Sequence, residues 1–212
     1  MKVFGVPQSR STRVTWMMEE VGQDYEFDPI DFYAGENRSE QYLAVNPSGK
    51  VPALQDGDLV LLESGAIVTY LGDKHPHSGL VPKAGTQDRA RHDQWCYFAL
   101  TELEQPLWTL GKHRFALPEE HRVPAIFDCA AWEYQKALKL LSGGLGDNPY
   151  ILGSQFSAAD ILLGHTLNWG VSFNQPLEFD NLAAYRDRLN ERPALARARA
   201  KEEAAKERKA KD

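Results

Sequence analysis

The chain has 212 residues, of which 42% are hydrophobic and 25% charged; this is ordinary globular composition and excludes generic disorder. Its 24 basic and 30 acidic side chains leave a net charge of −6, so a phosphate backbone is repelled on average and nucleic-acid binding is not the expected role. No apolar run approaches the roughly 20 residues of a membrane helix, and the opening residues reach Pro7 too early for a secretory signal, so no membrane role is expected.

Taken in chain order, the first part alternates strand and helix patterns. Lys2–Val6 is a short β-type run, and the segment from Pro7 to Ser11 breaks it. Thr12–Val21 has helical periodicity, with Val14, Met17, Met18 and Val21 on one face. Gly22 follows where a helix ends. Tyr25–Ile30 reads as a strand, Asp31–Arg38 as a polar loop and Gln41–Val45 as a helical turn. Val51–Gln55 and Leu59–Leu62 flank Asp56-Gly57-Asp58, a hairpin signal. Glu63–Gly72 is again helical. The order βαβαββα, with the last two strands antiparallel, predicts a small mixed sheet flanked by helices.

After a turn-rich linker from His75 to Gly79, strand alternation stops. The pattern predicts one long helix over Gln87–Leu110, a second over Pro124–Leu141 ended by Ser142-Gly143-Gly144, and three more over Ala158–Trp169, Leu182–Asn190 and Ala194–Arg208. The expected division is a mixed domain over 1–78 and an all-α domain over 84–212. The tail from Arg197 has strong helix formers but almost no apolar face, so it reads as a solvated extension.

Cys96 and Cys129 have neither CxxC nor metal-ligand spacing and read as small buried hydrophobes in a reducing cytosol, hence a cytoplasmic protein. The six histidines are scattered, so no metal centre is expected.

Four segments carry chemistry. Ser9-Arg10-Ser11-Thr12-Arg13 places hydroxyls at a helix N-terminus, where one could cap the helix or donate to a bound thiolate. In Asn46-Pro-Ser-Gly-Lys50-Val51-Pro52, proline enters a strand directly; a cis bond there would leave the Val51 backbone free to pair with a peptide. Glu63-Ser64 opens a helix, as a plain cap or as a grip on an α-amino acid head group. Phe156-Ser157-Ala-Ala-Asp160-Ile161 has the spacing of a capping box and hydrophobic staple, so Ser157 and Asp160 read as structural.

Together and in this order, these segments resemble the cytosolic glutathione transferases, over nearly the whole chain to about Ala200. The likeness is greatest to a bacterial and fungal branch whose first helix opens S-R-S-x-R-V and continues W-x-x-E-E-x-G, here Ser9 to Gly22. The resemblance implies a thioredoxin-like first domain with cis-Pro52 and an all-helical second domain. It implies that glutathione is the co-substrate, with Val51 pairing to its cysteinyl part, Glu63 and Ser64 holding its γ-glutamyl end and Lys50 near its glycine carboxylate. A hydroxyl of Ser9 or Ser11 would face the sulfur, Ser9 following the strand more directly, with Arg10 or Arg13 adding positive potential. A hydrophobic electrophile would lie against Tyr97, Trp108 and Phe115. The implied activity is glutathione conjugation; glutathione-dependent peroxide reduction and a non-catalytic binding or regulatory role are the alternatives. A homodimer is expected, from the resemblance and from apolar residues mixed with charge on Ala66–Tyr70 and Arg89–Phe98.

Overall fold

The computed structural model describes residues 1–211. Contacts divide the chain into two compact units: Met1–Val81 together with the chain from Asn190 onward, and Pro82–Leu189.

The first unit is built on four strands, β1 (Lys2–Gly5), β2 (Glu26–Pro29), β3 (Ala53–Asp56) and β4 (Leu59–Leu62), in the order β2-β1-β3-β4. β1 and β2 are parallel and the other pairs antiparallel. The parallel pair needs a crossover, which α1 (Ser11–Val21) supplies. Side chains alternate across the sheet. Val3, Phe27 and Leu54 are in register and buried. Their neighbours Phe4 and Ala53 form a second cluster with Ile30 and with Tyr42 of α2 (Glu40–Val45). α3 (Ser64–Lys74) packs beside α1 and buries Ile67, Val68 and Leu71. The mixed α/β first part is as the periodicity predicts, with boundaries shifted by one or two residues.

The tail departs from the sequence reading. Helix α9 (Pro193–Lys209) is not a solvated extension of the helical domain; it lies along α1 in the first unit. Ala194, Leu195, Ala198, Glu202 and Ala205 form its buried stripe. Alanine contributes little to a hydropathy pattern, yet its small side chain lets two helix backbones approach closely. Charged pairs flank the seam: Arg192 makes a two-pronged contact with Glu20 at 2.6 and 2.7 Å, and Arg197 Nε lies 2.8 Å from Glu19. Lys209 Nζ reaches Glu36 at 2.7 Å and the Pro29 carbonyl at 2.6 Å.

The second unit is all-helical. The long helix expected over Gln87–Leu110 is instead α4 (Gln87–Phe98), a π-helical segment Ala99–Leu103, and α5 (Glu104–Gly111). The proline at 106 explains the break: it has no N–H to donate, and its ring crowds the carbonyl four residues back, at Glu102. α6 (Phe127–Leu145) runs through Ser142-Gly143-Gly144 rather than ending there. Gly144 sits in the helix because a Cβ there would meet the Trp95 ring at 2.2 Å. α7 (Ala158–Ser172) is central, burying Ile161, Leu162, Leu163 and Leu167, and α8 (Asp180–Asn190) closes the unit. Cys96 is buried, and burial pushes its thiol up; Cys129, expected to be buried, is exposed on α6. Among the described residues, no helix is long and apolar enough to cross a membrane.

Candidate active site

The site is assembled at the start of α1, the turn before β3 and the start of α3, all in the first unit. Between β1 and α1 the chain turns through Gln8, whose φ of 58° is unusual for a residue with a side chain. Ser9 and Ser11 follow, with their hydroxyl oxygens 3.0 Å apart. Ser9 Oγ donates to the Val6 carbonyl at 2.7 Å and accepts the Ser11 N–H at 3.1 Å. Ser11 Oγ accepts the Val6 N–H at 3.2 Å. The two predicted hydroxyls therefore differ in access: Ser11 is fully buried, whereas Ser9 is half-buried.

The turn before β3 is shaped by Asn46. Its Oδ1 accepts the Ser48 N–H and hydroxyl at 3.0 and 2.8 Å, and its Nδ2 donates to the Lys50 carbonyl at 2.7 Å. The Tyr42 hydroxyl donates to the same carbonyl at 2.6 Å. Gly49 has φ 64°, and a Cβ there would meet the Asn37 carbonyl at 2.7 Å, so the turn requires glycine. The Val51–Pro52 bond is cis. The β3 ladder begins only at Ala53, opposite Phe4, so the Val51 backbone stands ahead of it. The Lys50 side chain is exposed.

At the start of α3, Glu63 has φ 65° and ψ 112°, a second side-chain-bearing residue at positive φ. Such backbone positions are costly and cluster at functional sites. Glu63 is exposed and Ser64 is buried. Ser64 Oγ accepts a hydrogen bond from Arg13 Nη1 at 3.1 Å. Arg13, and not Arg10, thus joins α1 to the start of α3: Arg13 is fully buried, while Arg10 is the half-buried residue preceding α1. A guanidinium held behind a helix N-terminus adds fixed positive charge to that of the helix end.

Three of these features escape the sequence reading. Positive φ at Gln8 has no residue signature. Arg13 is offered by the sequence as a source of positive charge, but its bond to Ser64 joins positions 51 apart and has no local signal. The third is Glu202 of α9, which accepts from the Thr15 hydroxyl at 2.5 Å, the Thr12 hydroxyl at 2.9 Å and the Gln8 N–H at 3.3 Å. Burial pushes its carboxyl up to about 7, against the pull of these donors and of Arg199.

The other predicted residues lie in the second unit. Phe115 is exposed and meets Phe173 edge-on, centroids 6.3 Å apart; Trp169 meets the same ring at 5.6 Å. Arg114 lies over Phe173 at 5.5 Å. Tyr97 is exposed at the end of α4, and Trp108 is half-buried on α5. The Ser157–Asp160 capping box forms at the start of α7. Asp160 accepts from the Ile151 N–H, the Ser157 N–H and hydroxyl, and the Tyr185 hydroxyl, at 2.6–2.8 Å. Among the described residues, no group of three or more His, Cys, Asp or Glu side chains is placed to hold a metal ion.

The family profile of the glutathione S-transferase N-terminal domain matches residues 1–73, and that of the C-terminal domain matches residues 113–193. The chain is 31% identical over 198 residues to glutathione S-transferase GstA of Escherichia coli O157:H7, covering 92% of this chain and 95% of that protein. It is 31% identical over 163 residues to glutathione S-transferase 3 of Zea mays, covering 76% and 73%. Among solved structures it is similar to a sphingomonad glutathione S-transferase complexed with glutathione, at 31% identity and a TM-score of 0.84, covering 95% of this chain and 98% of that one. It is equally similar to BphK, a bacterial glutathione transferase solved as a ternary complex, at 30% identity and a TM-score of 0.84, covering 95% and 99%. With a thioredoxin-like unit followed by a helical one, both family domains matched in order, and the Escherichia coli relative aligned over 95% of its length, this chain belongs to the cytosolic glutathione S-transferase superfamily.

Proposed function

We propose that the protein binds glutathione and activates its thiol as the thiolate for conjugation to a hydrophobic electrophile, as a serine-using member of its superfamily. The observation that carries this reading is the serine pair at the start of α1. Ser9 is reachable from solvent, and Ser11, buried and fixed by the Val6 N–H, holds it from behind. In the free protein the Ser9 hydroxyl donates to the Val6 carbonyl; with glutathione bound, it turns its hydrogen to the sulfur. The two cysteines lie on α4 and α6, away in sequence from this loop, which speaks against a cysteine-based thiol exchange. The Val51 backbone ahead of β3 pairs with the cysteinyl part of glutathione. Ser64 and Glu63 receive the γ-glutamyl end, with Arg13 adding positive charge behind Ser64, and Lys50 faces the glycine carboxylate.

The magnitudes suffice. A free thiol has a pKa of about 8.5, and lowering it by about two units, to below 7, takes about 2.7 kcal/mol. A hydrogen bond to a charged group supplies about 1.5–3 kcal/mol, and a helix N-terminus about 0.3–1 kcal/mol. The thiol proton leaves to solvent. The thiolate then forms the sulfur–carbon bond as the leaving group departs with its electron pair.

The test is a titration of thiolate absorbance with glutathione bound. Ser9→Ala raises the thiol pKa, whereas Ser64→Ala weakens glutathione binding by about 1–3 kcal/mol, the loss of a hydrogen bond to a charged group. An unchanged titration in Ser9→Ala and in the Ser9→Ala/Ser11→Ala pair overturns hydroxyl activation. A panel of electrophiles and hydroperoxides then separates conjugation from peroxide reduction. The same reading makes the protein a cytoplasmic homodimer. Leu59 and Val60 stand exposed on edge strand β4, an arrangement that favours a partner. Sedimentation at micromolar concentration decides it: a mass near 23.9 kDa, rather than twice that, defeats the dimer.

A further inference from the structure

Glu202 is a fully buried carboxylate whose donors are all neutral: two hydroxyls and one backbone amide. Those donors come from 187 to 194 positions away in the chain. They are also unusually placed. Oε2 accepts both the N–H of Gln8 and the hydroxyl of Thr12. Gln8 precedes Ser9, and the Thr12 N–H donates to the Ser9 carbonyl at 3.0 Å. One carboxylate oxygen therefore ties down the chain on both sides of Ser9. Gln8 is also the loop residue held at positive φ, a conformation that persists only where the surroundings enforce it.

We propose that Glu202, carried by the C-terminal helix, is a positioning residue of the thiol site: its carboxylate clamps Gln8 and Thr12 and thereby fixes Ser9 at the start of α1. This rests on the reading of Ser9 given above.

The clamp responds to protonation. A proton on Oε1 is accommodated locally: the new O–H donates to Thr15 Oγ1, and the Thr15 hydroxyl turns to the Thr12 carbonyl, 3.3 Å away. Oε2 then loses its charge, and its bonds to Gln8 and Thr12 are no longer charge-assisted. The groups facing the site set when this happens. Arg199 on α9 favours the carboxylate, and Tyr25 at the edge of β2 feels its charge. On α1, Glu19 accepts from the Tyr25 hydroxyl and is paired with Arg197, and Lys201 of α9 covers the Tyr25 ring. With the Glu202 carboxyl held up at about 7 by burial, the clamp is charged above neutrality and loosens as the pH falls below it.

The test uses the full chain. Without ligand, the backbone amide resonances of Gln8 and Thr12 shift with pH about a midpoint near 7. In Glu202→Gln, which keeps the shape and one acceptor oxygen, they stay flat. With glutathione and an activated aryl halide, kcat/KM of the unaltered chain shows an ionisation near 7 besides that of the thiol. Glu202→Gln lacks it and loses about tenfold in kcat/KM, the equivalent of one charge-assisted hydrogen bond. Thr12→Val and Thr15→Val, which remove donors to Glu202 while leaving the residues of α9 unaltered, move the same profile. A purely structural role lowers the melting temperature and leaves both the resonances and the profile titrating as before; that result overturns the clamp. If the unaltered chain fails to bind glutathione, the reading of the site falls, and with it the catalytic consequence. If it binds glutathione but Gln8 and Thr12 behave identically in Glu202→Gln, only the clamp falls.

Discussion

Two fully buried carboxylates, one in each unit, gather their donors by opposite routes. Asp160 and Glu202 are both fully buried, both gather three or more donors, and burial pushes both carboxyls up. Asp160 draws its donors from 3, 9 and 25 positions away. Glu202 draws its own from almost the other end of the chain. The local carboxylate starts a helix and pins the Ile151 loop and Tyr185 to it. The distant one binds the last helix to the first. A buried acid can thus serve a helix start or a chain closure, and the separation of its donors tells which.

The largest effect that can break this comparison is Asp160→Ala. It leaves buried donors of Ile151, Ser157 and Tyr185 without an acceptor, at about 1–3 kcal/mol each. The expected loss is about 3 kcal/mol or more in urea unfolding. A midpoint equal to that of the unaltered chain means that Asp160 carries no such network.

Next in size is the pH dependence contributed by Glu202. Its carboxyl is raised from 4.5 to about 7 in the folded chain, so between those values the folded state holds a proton that the unfolded state has released. Stability therefore falls as the pH rises through this window. The cost is absent below about 4.5, complete above about 7, and amounts to about 3 kcal/mol. Glu202→Gln removes this contribution, and the stability difference between the two proteins across pH 4.5–7 measures it. A difference independent of pH contradicts the shift. The carboxylate would then be a stabilising contact alone; with the shift, its ionised form costs stability and is explained by what it does for Ser9.

The smallest effect concerns the edge of the same seam. Arg192→Ala removes the two-pronged contact with Glu20, which is mostly buried. The expected loss is about 1 kcal/mol, read as faster amide exchange over α9 with α7 unchanged. Equal protection of α9 in both proteins assigns the docking of this helix to its alanine stripe instead.

Much of the site was legible because its signals are short. Ser157 and Asp160 announce a helix start at a spacing of three, since a cap acts within one turn. Asn46-Pro-Ser-Gly-Lys-Val-Pro is legible for a related reason: an Asn side chain bonds the backbone two residues on, and glycine takes the conformation the turn requires. The first helix followed from periodicity, because Val14, Met17 and Met18 recur at helical spacing and all three are buried.

What the tertiary structure alone decided depends on contacts between distant segments. Arg13 finds Ser64 only when α1 and α3 lie side by side. The break at Ala99–Leu103 was written locally in Pro106, but the passage of α6 through two glycines depends on the Trp95 ring needing room at Gly144. The role of α9 was hidden most deeply. Alanines and a glutamate look like a solvated face, because hydropathy measures what a side chain gains by leaving water. It does not register how closely a small side chain lets another helix approach, nor that Thr12, Thr15 and Gln8 wait at the far end of the chain to satisfy the one charge buried there.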